Sequence, residues 1–137
     1  MLLTDFIIRI LLAVSAGMLI GFERQWHHKS EGLRTNTLVT IGAAFYVLLA
    51  LKISPENGDI TRITGQVVTG VGFLGAGIIF REGTNIHGLT TATTVWCSAA
   101  IGCMAGAGYI IETFAATFTI IFINTLLMYL DTWLNNR

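Results

Sequence analysis

The stretch of sequence that decides the fold is residues 89–130, LTTATTVWCSAAIGCMAGAGYIIETFAATFTIIFINTLLMYL, which contains one charged side chain, that of Glu112. As a single helix rising about 1.5 Å per residue it would be roughly 63 Å long, about twice the hydrocarbon thickness of a bilayer. Two helices fit this length, and Gly106-Ala107-Gly108 is the expected break between them. The stretch therefore predicts two membrane-spanning helices.

The rest of the 137-residue chain has the same apolar character. It is 53% hydrophobic and 12% charged, with a mean hydropathy of +0.70, whereas soluble domains average about 25% charged residues. Eight basic residues balance eight acidic ones, so there is no net field to attract nucleic acid, and we expect no nucleic-acid partner. The composition argues against an ordinary soluble enzyme and predicts a polytopic membrane protein whose surroundings are the lipid bilayer.

Five apolar stretches follow one another along the chain. We interpret each as a helix because a backbone in lipid must satisfy its hydrogen bonds internally. Arg62 and Arg81 bound the third stretch, and Pro55 lies beside Asn57-Gly58 in the link before it, as expected of a turn. We expect one all-α transmembrane domain over residues 1–137, with spans at about 6–22, 35–51, 63–80, 89–106 and 110–130.

The N-terminal stretch resembles a cleaved secretion signal, but acidic Asp5 stands where such a signal has basic residues, and the apolar run is long. We therefore expect it to be retained as the first span. Asp5 and Arg9 are four residues apart, so they can pair on one helix face. Such charges commonly anchor the end of a span at the membrane edge.

Basic residues predict the orientation, because cytoplasmic loops carry an excess of lysine and arginine. With five spans the two ends lie on opposite sides of the membrane. The excess places the first loop, the third loop and the C-terminus in the cytoplasm and the N-terminus outside. The basic residues on the cytoplasmic side are Arg24, Lys29, Arg34, Arg81 and Arg137, and those on the other side are Lys52 and Arg62.

Small residues recur every four positions in two spans, which favours close helix packing and self-association into a homo-oligomer. The two stripes are Ala13, Gly17 and Gly21 in the first span and Ser98, Gly102 and Gly106 in the fourth.

The third span is the richest in glycine. Its segment Gly70-Val71-Gly72-Phe73-Leu74-Gly75 matches the dinucleotide fingerprint, but no strand precedes it, and Val95 stands where an acidic residue should follow. We reject nucleotide binding and expect tight helix packing; the alternative is a helix that unwinds to line a polar passage, as in transporters. The glycines concerned are Gly70, Gly72, Gly75 and Gly77.

Residues suited to catalysis are sparse. Cys97 and Cys103 lie six residues, or about 600°, apart on one helix, so they point to different faces and cannot bridge within it. His27 and His28 are adjacent and match no metal-binding spacing. We therefore expect no enzymatic activity and no cofactor. Asn124 is polar in a lipid-embedded span and should face another helix.

A band of polar residues remains at the expected cytoplasmic face. Glu23, Glu31 and Glu82 lie near amide and hydroxyl oxygens, which suit Mg²⁺. Alternatively, Arg34 and Arg81 neutralise these acids in a structural network. Threonines that open the fourth span can cap its N-terminus, whose positive end favours an anion or a carboxylate. The polar band comprises Glu23, Arg24, Arg34, Thr35, Asn36, Arg81, Glu82, Asn85, Thr90 and Thr91.

Three motifs in order carry a resemblance to a known family, and they span about residues 17–108. They are Gly21-Phe22-Glu23-Arg24 with Gly32-Leu33-Arg34-Thr35, then Gly70-Val71-Gly72-Phe73-Leu74-Gly75-Ala76-Gly77, then Gly88-Leu89-Thr90-Thr91-Ala92 with Trp96. The chain resembles the membrane domain of the MgtC/SapB family. The resemblance implies a bacterial inner-membrane protein linked to growth at low magnesium and, in pathogens, to survival inside macrophages. It also implies a candidate partner, the F-type ATP synthase, which some members inhibit.

Two departures from the family limit what the resemblance implies. Asn36 stands where the family often has histidine, which weakens a metal or proton role there. Many members continue into an ACT-like cytoplasmic domain, whereas this chain ends seven residues after Leu130.

We expect a non-enzymatic regulatory protein that acts through helix contacts with a membrane partner in magnesium homeostasis. The alternative is a small transporter or channel subunit for Mg²⁺ or another ion, with the third and fourth spans lining the route.

Overall fold

The computed structural model describes residues 2–53 and 60–136, which form five helices and one short hairpin. The all-α class is confirmed, and the helix ends lie within a few residues of those expected. The expected turn at Pro55 and the tail residue Arg137 lie outside the described residues. The helices are α1 (Leu3–Trp26), α2 (Leu33–Ile53), α3 (Ile60–Ile78), α4 (Leu89–Ala107) and α5 (Ile110–Asn135).

The break between α4 and α5 lies at the expected glycine pair. Gly108 has a φ of 90°, a left-handed conformation that favours glycine because it has no Cβ. The N–H groups of Gly108 and Tyr109 donate to the carbonyls of Ala105 and Met104, which closes the end of α4. The charge-poor stretch therefore folds as two helices.

A short hairpin joins α3 to α4 where only a loop was expected. Strands β1 (Phe80–Glu82) and β2 (Asn85–His87) pair antiparallel, with Phe80 opposite His87. The third span therefore ends at Ile78 instead of residue 80. Gly88 follows the hairpin with a φ of 85°, and a Cβ there would overlap the carbonyl oxygen of Ile78. A glycine is required for the chain to turn from the hairpin into α4.

The centre of the bundle is α4, which packs against α1 and α2. Ten of its residues are buried, whereas α5 buries only Thr113 and Thr117 and lies at the edge. Apolar clusters fill the centre, among them one in which Ala16 and Ile20 of α1 meet Ile101 of α4. The helix that carries no charged side chain is therefore enclosed by the others.

Two expected glycine stripes bring helices into close contact. A Cβ built on Gly17 would lie 2.7 Å from the Cα of Thr37, and one on Gly21 would lie 2.6 Å from the Cα of Leu33. On α4, a Cβ at Gly102 would overlap the carbonyl oxygen of Thr40, and one at Gly106 would lie 2.8 Å from that of Ala44. Both stripes face α2, so α2 lies in glycine-lined contacts with α1 and α4.

The glycines of α3 do not serve close packing within the chain, contrary to the expectation. A Cβ at Gly70, Gly72 or Gly77 would meet no heavy atom within 4 Å, and one at Gly75 would make ordinary contact with Ala92 at 3.8 Å. The reason is that α3 contacts the bundle through another face, where only Val67 and Val71 are buried. The unwound alternative is not seen either, since α3 is continuous over all four positions.

Arg9 links the N-terminal part of α1 to the C-terminal end of α4. Its Nε lies 3.1 Å from Asp5 Oδ1, as the spacing predicted. Its Nη1 also donates to the carbonyl oxygen of Gly106 at 2.9 Å. The cation therefore satisfies a carbonyl at the end of α4, where the helix dipole is negative.

Three of the described helices are long and apolar enough to cross a membrane, namely α1, α2 and α5. The chain is therefore a membrane protein. Helix α4 has no Asp, Glu, Lys or Arg, but it contains four threonines and several glycines and alanines. Five spans stay a prediction, which the enclosed position of α4 supports because a helix that faces protein needs less apolar surface than one that faces lipid.

Candidate functional site

The C-terminal end of α1 carries a buried carboxylate, that of Glu23, which is 8% exposed. Its Oε1 lies 3.0 Å from Nδ1 of His27, one turn further along α1. Its Oε2 accepts a hydrogen bond of 3.4 Å from the side-chain amide of Asn124 in α5, and that amide also lies 3.3 Å from Oγ1 of Thr94 in α4. Glu23 thus links α1 to α5, and Asn124 faces other helices as predicted.

The next residue, Arg24, is buried toward a different helix and is only 2% exposed. Its Nη2 donates a 2.6 Å hydrogen bond to Oγ1 of Thr91 in the first turn of α4. Its Nε is buried and has no hydrogen-bond partner among the described residues. A buried cation with an unsatisfied N–H is costly, so the bond to Thr91 is an important part of its compensation.

A second polar cluster joins α2 to α4. Asn36 is fully buried, and its Oδ1 accepts a 2.8 Å hydrogen bond from Ser98 of α4. Its Nδ2 donates to the carbonyls of Glu31 and Gly32, which hold the loop before α2. The hydroxyl of Thr40 donates to the Asn36 carbonyl at 2.6 Å. The amide therefore braces the start of α2 through both of its polar atoms.

Half of the predicted polar band lies outside these clusters. The side chain of Arg34 is exposed, and Arg81 Nε donates to the Gly83 carbonyl within the hairpin. Glu82 has an 83% exposed side chain and lies 3.9 Å from His87. The structural network in which Arg34 and Arg81 neutralise the acids is therefore wrong for the described residues. The band members that remain exposed are Arg34, Arg81, Glu82, Asn85 and Thr90.

The threonines at the start of α4 do not cap it, contrary to the expectation. Gly88 occupies the N-cap position, and no side chain there accepts a hydrogen bond from the first turn. Thr93 and Thr94 instead donate to the carbonyl of Thr90, and Thr91 accepts from Arg24. These hydroxyls therefore join helices or bond back along α4.

Comparison with known proteins identifies the family of the chain. The model of the MgtC family matches residues 10–133. The chain belongs to the MgtC family. It is 55% identical over 111 residues to Protein MgtC of Brucella abortus (strain 2308), a match that covers 81% of this chain and 46% of the relative. It is 49% identical over 127 residues to Protein MgtC of Salmonella typhimurium (strain LT2), covering 93% of this chain and 54% of the relative.

The chain spans about half the length of these curated MgtC relatives. No solved structure matches it. The comparisons confirm the family that the three sequence motifs indicated. They assign no role to individual residues.

The glutamates considered as magnesium ligands are separated in this MgtC family member. Glu23 lies inside the bundle, Glu82 on the exposed hairpin, and Glu31 accepts a 2.8 Å hydrogen bond from Thr35. Across residues 2–53 and 60–136, no three His, Cys, Asp or Glu side chains come together as a metal site would require. The three carboxylates therefore do not share one coordination sphere.

The hydrogen bonds and ion pair made by the side chains of Ser98, Thr94 and His27 were not predicted from the sequence. Ser98 was interpreted only as a small residue in a packing stripe, yet it lies four residues before Gly102 on the face that meets α2. Arg24 likewise lies three residues after Gly21, on the face that carries the glycine contacts. A polar residue three or four positions from a glycine of a packing stripe lies on the same helix face. This spacing could have predicted that Ser98 and Arg24 are buried.

Proposed function

We propose that this MgtC family member is a non-enzymatic protein of the bacterial inner membrane that supports growth at low magnesium by contacting a membrane partner through its helices. The observation that carries the proposal is that both buried charged side chains are bonded to other residues of the bundle. Glu23 contacts His27 and Asn124, and Arg24 donates to Thr91. Charged groups bound in this way brace three helices together, and they do not form a row along a passage.

The contact between α3 and α4 also supports a regulatory role over conduction. Val67 and Val71 of α3 share one apolar cluster with Val95 and Ala99 of α4. A hydrated cation needs oxygen ligands or water along its route, and this cluster offers neither. A route between the third and fourth helices would require them to separate.

The bundle's open apolar surface leaves room for a membrane partner. On α5, Ile111 is 81% exposed and Phe122 is 62% exposed. Lipid covers such a surface, and so does another transmembrane helix. The family resemblance makes the F-type ATP synthase the candidate partner to test first.

Growth at limiting magnesium, in a strain that lacks its own MgtC family gene, tests the proposal. Glu23→Gln should abolish complementation, because an amide cannot reproduce the charge-assisted hydrogen bond to Asn124 at full strength. Glu82→Gln makes the same chemical change on the exposed hairpin and should complement like the wild type. Immunoblotting normalises each result to the amount of protein in the membrane.

Magnesium flux separates the proposal from the transporter alternative. Purified wild-type protein in liposomes should give no Mg²⁺ flux above that of empty vesicles. Saturable flux that Glu23→Gln reduces and Glu82→Gln does not would establish transport and overturn the proposed mechanism. Full complementation by Glu23→Gln would separately remove the role assigned to the buried carboxylate.

A further inference from the structure

Arg24 is a buried cation without a counter-ion in the part of the chain that the structure describes. Its side chain is 2% exposed, and among residues 2–53 and 60–136 no ion pair includes it. The neighbouring carboxylate does not neutralise it, because the two oxygens of Glu23 contact His27 and Asn124. A buried charge without an opposite charge is costly, so this position favours binding of an anion.

The guanidinium of Arg24 lies against the first turn of α4. Its Nη2 donates to Oγ1 of Thr91, and its Nε, in the same planar group, is buried without a hydrogen-bond partner among the described residues. The N–H groups of a guanidinium have a fixed geometry that matches the oxygens of a carboxylate or a phosphate. One donor beside the start of α4 therefore still lacks an acceptor.

The start of α4 adds further donors that lack an acceptor. No side chain caps the helix, and no described residue accepts a hydrogen bond from the N–H groups of Leu89, Thr90 or Thr91. The Thr91 hydroxyl accepts from Arg24 but donates to no described residue, whereas that of Thr94 donates to the Thr90 carbonyl one turn back. The positive end of the helix dipole also favours an anion here.

These donors suit a phosphate group better than a water molecule. Water brings hydrogens of its own, whereas an ionised lipid phosphate brings acceptor oxygens and the negative charge that Arg24 lacks. An anion can approach from the end of α4, where Leu89 and Thr90 are exposed. Trp26, two residues after Arg24, is 71% exposed, and tryptophan is enriched at the level of lipid headgroups. The phosphate of a headgroup therefore lies at a suitable depth.

We propose that Arg24, the Thr91 hydroxyl and the N–H groups at the start of α4 bind a phosphate group, carried by a lipid headgroup or by free phosphate. The bound anion accepts from Nε of Arg24 and from Thr91, and it compensates the buried charge. It thereby holds the end of α1 against the start of α4. This site goes beyond the proposed function and does not depend on it, because binding is measured on the protein alone.

Thermal unfolding of the purified chain in an uncharged detergent measures the binding, since a ligand of the folded state raises the midpoint temperature. The probes are phosphatidylglycerol, sodium phosphate and a diglucosyl diacylglycerol with the same acyl chains but no phosphate. Phosphatidylglycerol should raise the midpoint, and the sugar lipid should not. Equal shifts by the two lipids would overturn the site, because the acyl chains would then account for the effect.

Sodium phosphate, compared with sodium chloride at equal ionic strength, distinguishes the two sources. A shift with phosphatidylglycerol and none with sodium phosphate would identify the lipid headgroup as the ligand. The reverse result would identify free phosphate, and a shift with both would show that the phosphate group alone is sufficient. No shift with either probe would overturn the proposal and leave water as the partner of Nε.

Substitution of Arg24 tests the assigned residues. Arg24→Gln should raise the dissociation constant of the phosphate probe at least about tenfold, the effect of losing one hydrogen bond to a charged group. Arg34→Gln makes the same change at an exposed arginine on the same predicted side of the membrane and should bind like the wild type. Equal weakening by both variants would reduce the binding to general surface charge and overturn the site.

A pair of Thr91 variants keeps the test decisive if Arg24→Gln fails to fold. Thr91→Val has no hydroxyl and should weaken binding about tenfold, whereas Thr91→Ser keeps the hydroxyl and should bind like the wild type. Equal binding by the valine and serine variants would overturn the site, because the Thr91 hydroxyl would then not contact the anion.

Discussion

Glu23 and Arg24 are neighbours in the chain, yet each contacts a different helix. Successive residues on a helix are about 100° apart, so α1 directs Glu23 toward Asn124 of α5 and Arg24 toward Thr91 of α4. Two charges in one short segment thereby fix two helix contacts. The cost of burying them is offset only if each keeps its hydrogen bonds.

The bond between Arg24 and Thr91 can be removed with little change in shape. Thr91→Val replaces the hydroxyl by a methyl group and leaves the buried Nη2 without its partner. We expect the free energy of unfolding to fall by about 1.5–3 kcal/mol, the range for hydrogen bonds to charged groups. Equilibrium unfolding of the purified protein in detergent measures this change.

Thr90→Val is the control for that measurement. Thr90 precedes Thr91 and is exposed, so the same substitution there should change the free energy of unfolding by no more than about 0.5 kcal/mol. Similar losses at both positions would mean that valine weakens the first turn of α4 generally and that the Arg24 bond contributes little.

At the level of elements, glycines in this chain have two opposite roles. Those of α1 and α4 bring backbones together, and those of α3 leave a face open. The sequence pattern does not separate the two cases, because a repeat of small residues says which face permits close approach and not whether a partner helix lies there. Only the assembled bundle shows that α2 lies against Gly17 and Gly102.

Alanine substitutions at the two kinds of glycine should therefore change the free energy of unfolding in opposite directions. In Gly102→Ala the new methyl group overlaps the Thr40 carbonyl, and we expect a loss of about 1–3 kcal/mol in the free energy of unfolding. In Gly65→Ala the methyl group meets nothing within 4 Å, so the higher helix propensity of alanine should stabilise the protein by about 0.5–1 kcal/mol. Thermal unfolding of both variants tests this, and destabilisation by Gly65→Ala would contradict the open face.

The five helices could be predicted from their long apolar stretches, with arginines marking the ends of the third and glycines the break between the fourth and fifth, whereas the hairpin could not. Its strands are three residues each, too short for an alternating pattern to be recognised. The site was predicted only in part for a similar reason. Arg34 and Glu82 lie as close to the membrane edge in the sequence as Arg24 does, but only Arg24 continues the buried face of a helix.

At the scale of the whole molecule, the number of spans depends on α3 and α4. Each has 19 residues, about 28 Å of helix, which nearly matches the hydrocarbon thickness. Because α4 is enclosed by α1 and α2, we expect it to cross the membrane with them despite its threonines. If α3 and α4 both cross, the hairpin between them returns to the cytoplasmic side.

A cysteine at the hairpin tip therefore distinguishes five spans from three. With Cys97 and Cys103 replaced by serine, Thr84→Cys in intact cells should be protected from a membrane-impermeant maleimide, because five spans place the hairpin in the cytoplasm. Three spans, α1, α2 and α5, would place it outside and allow labelling. Tyr109→Cys, between α4 and α5, should be labelled in either case.

Ser30→Cys, in the loop between α1 and α2, should be protected in either case and become reactive only after permeabilisation. The expected orientation follows from the basic residues of that loop and of the hairpin, which favour the cytoplasmic side. Labelling of Thr84→Cys with protection of Ser30→Cys would reduce the spans to three. Labelling of Ser30→Cys with protection of Tyr109→Cys would instead invert the protein, moving the buried Glu23 and Arg24 to the outer face.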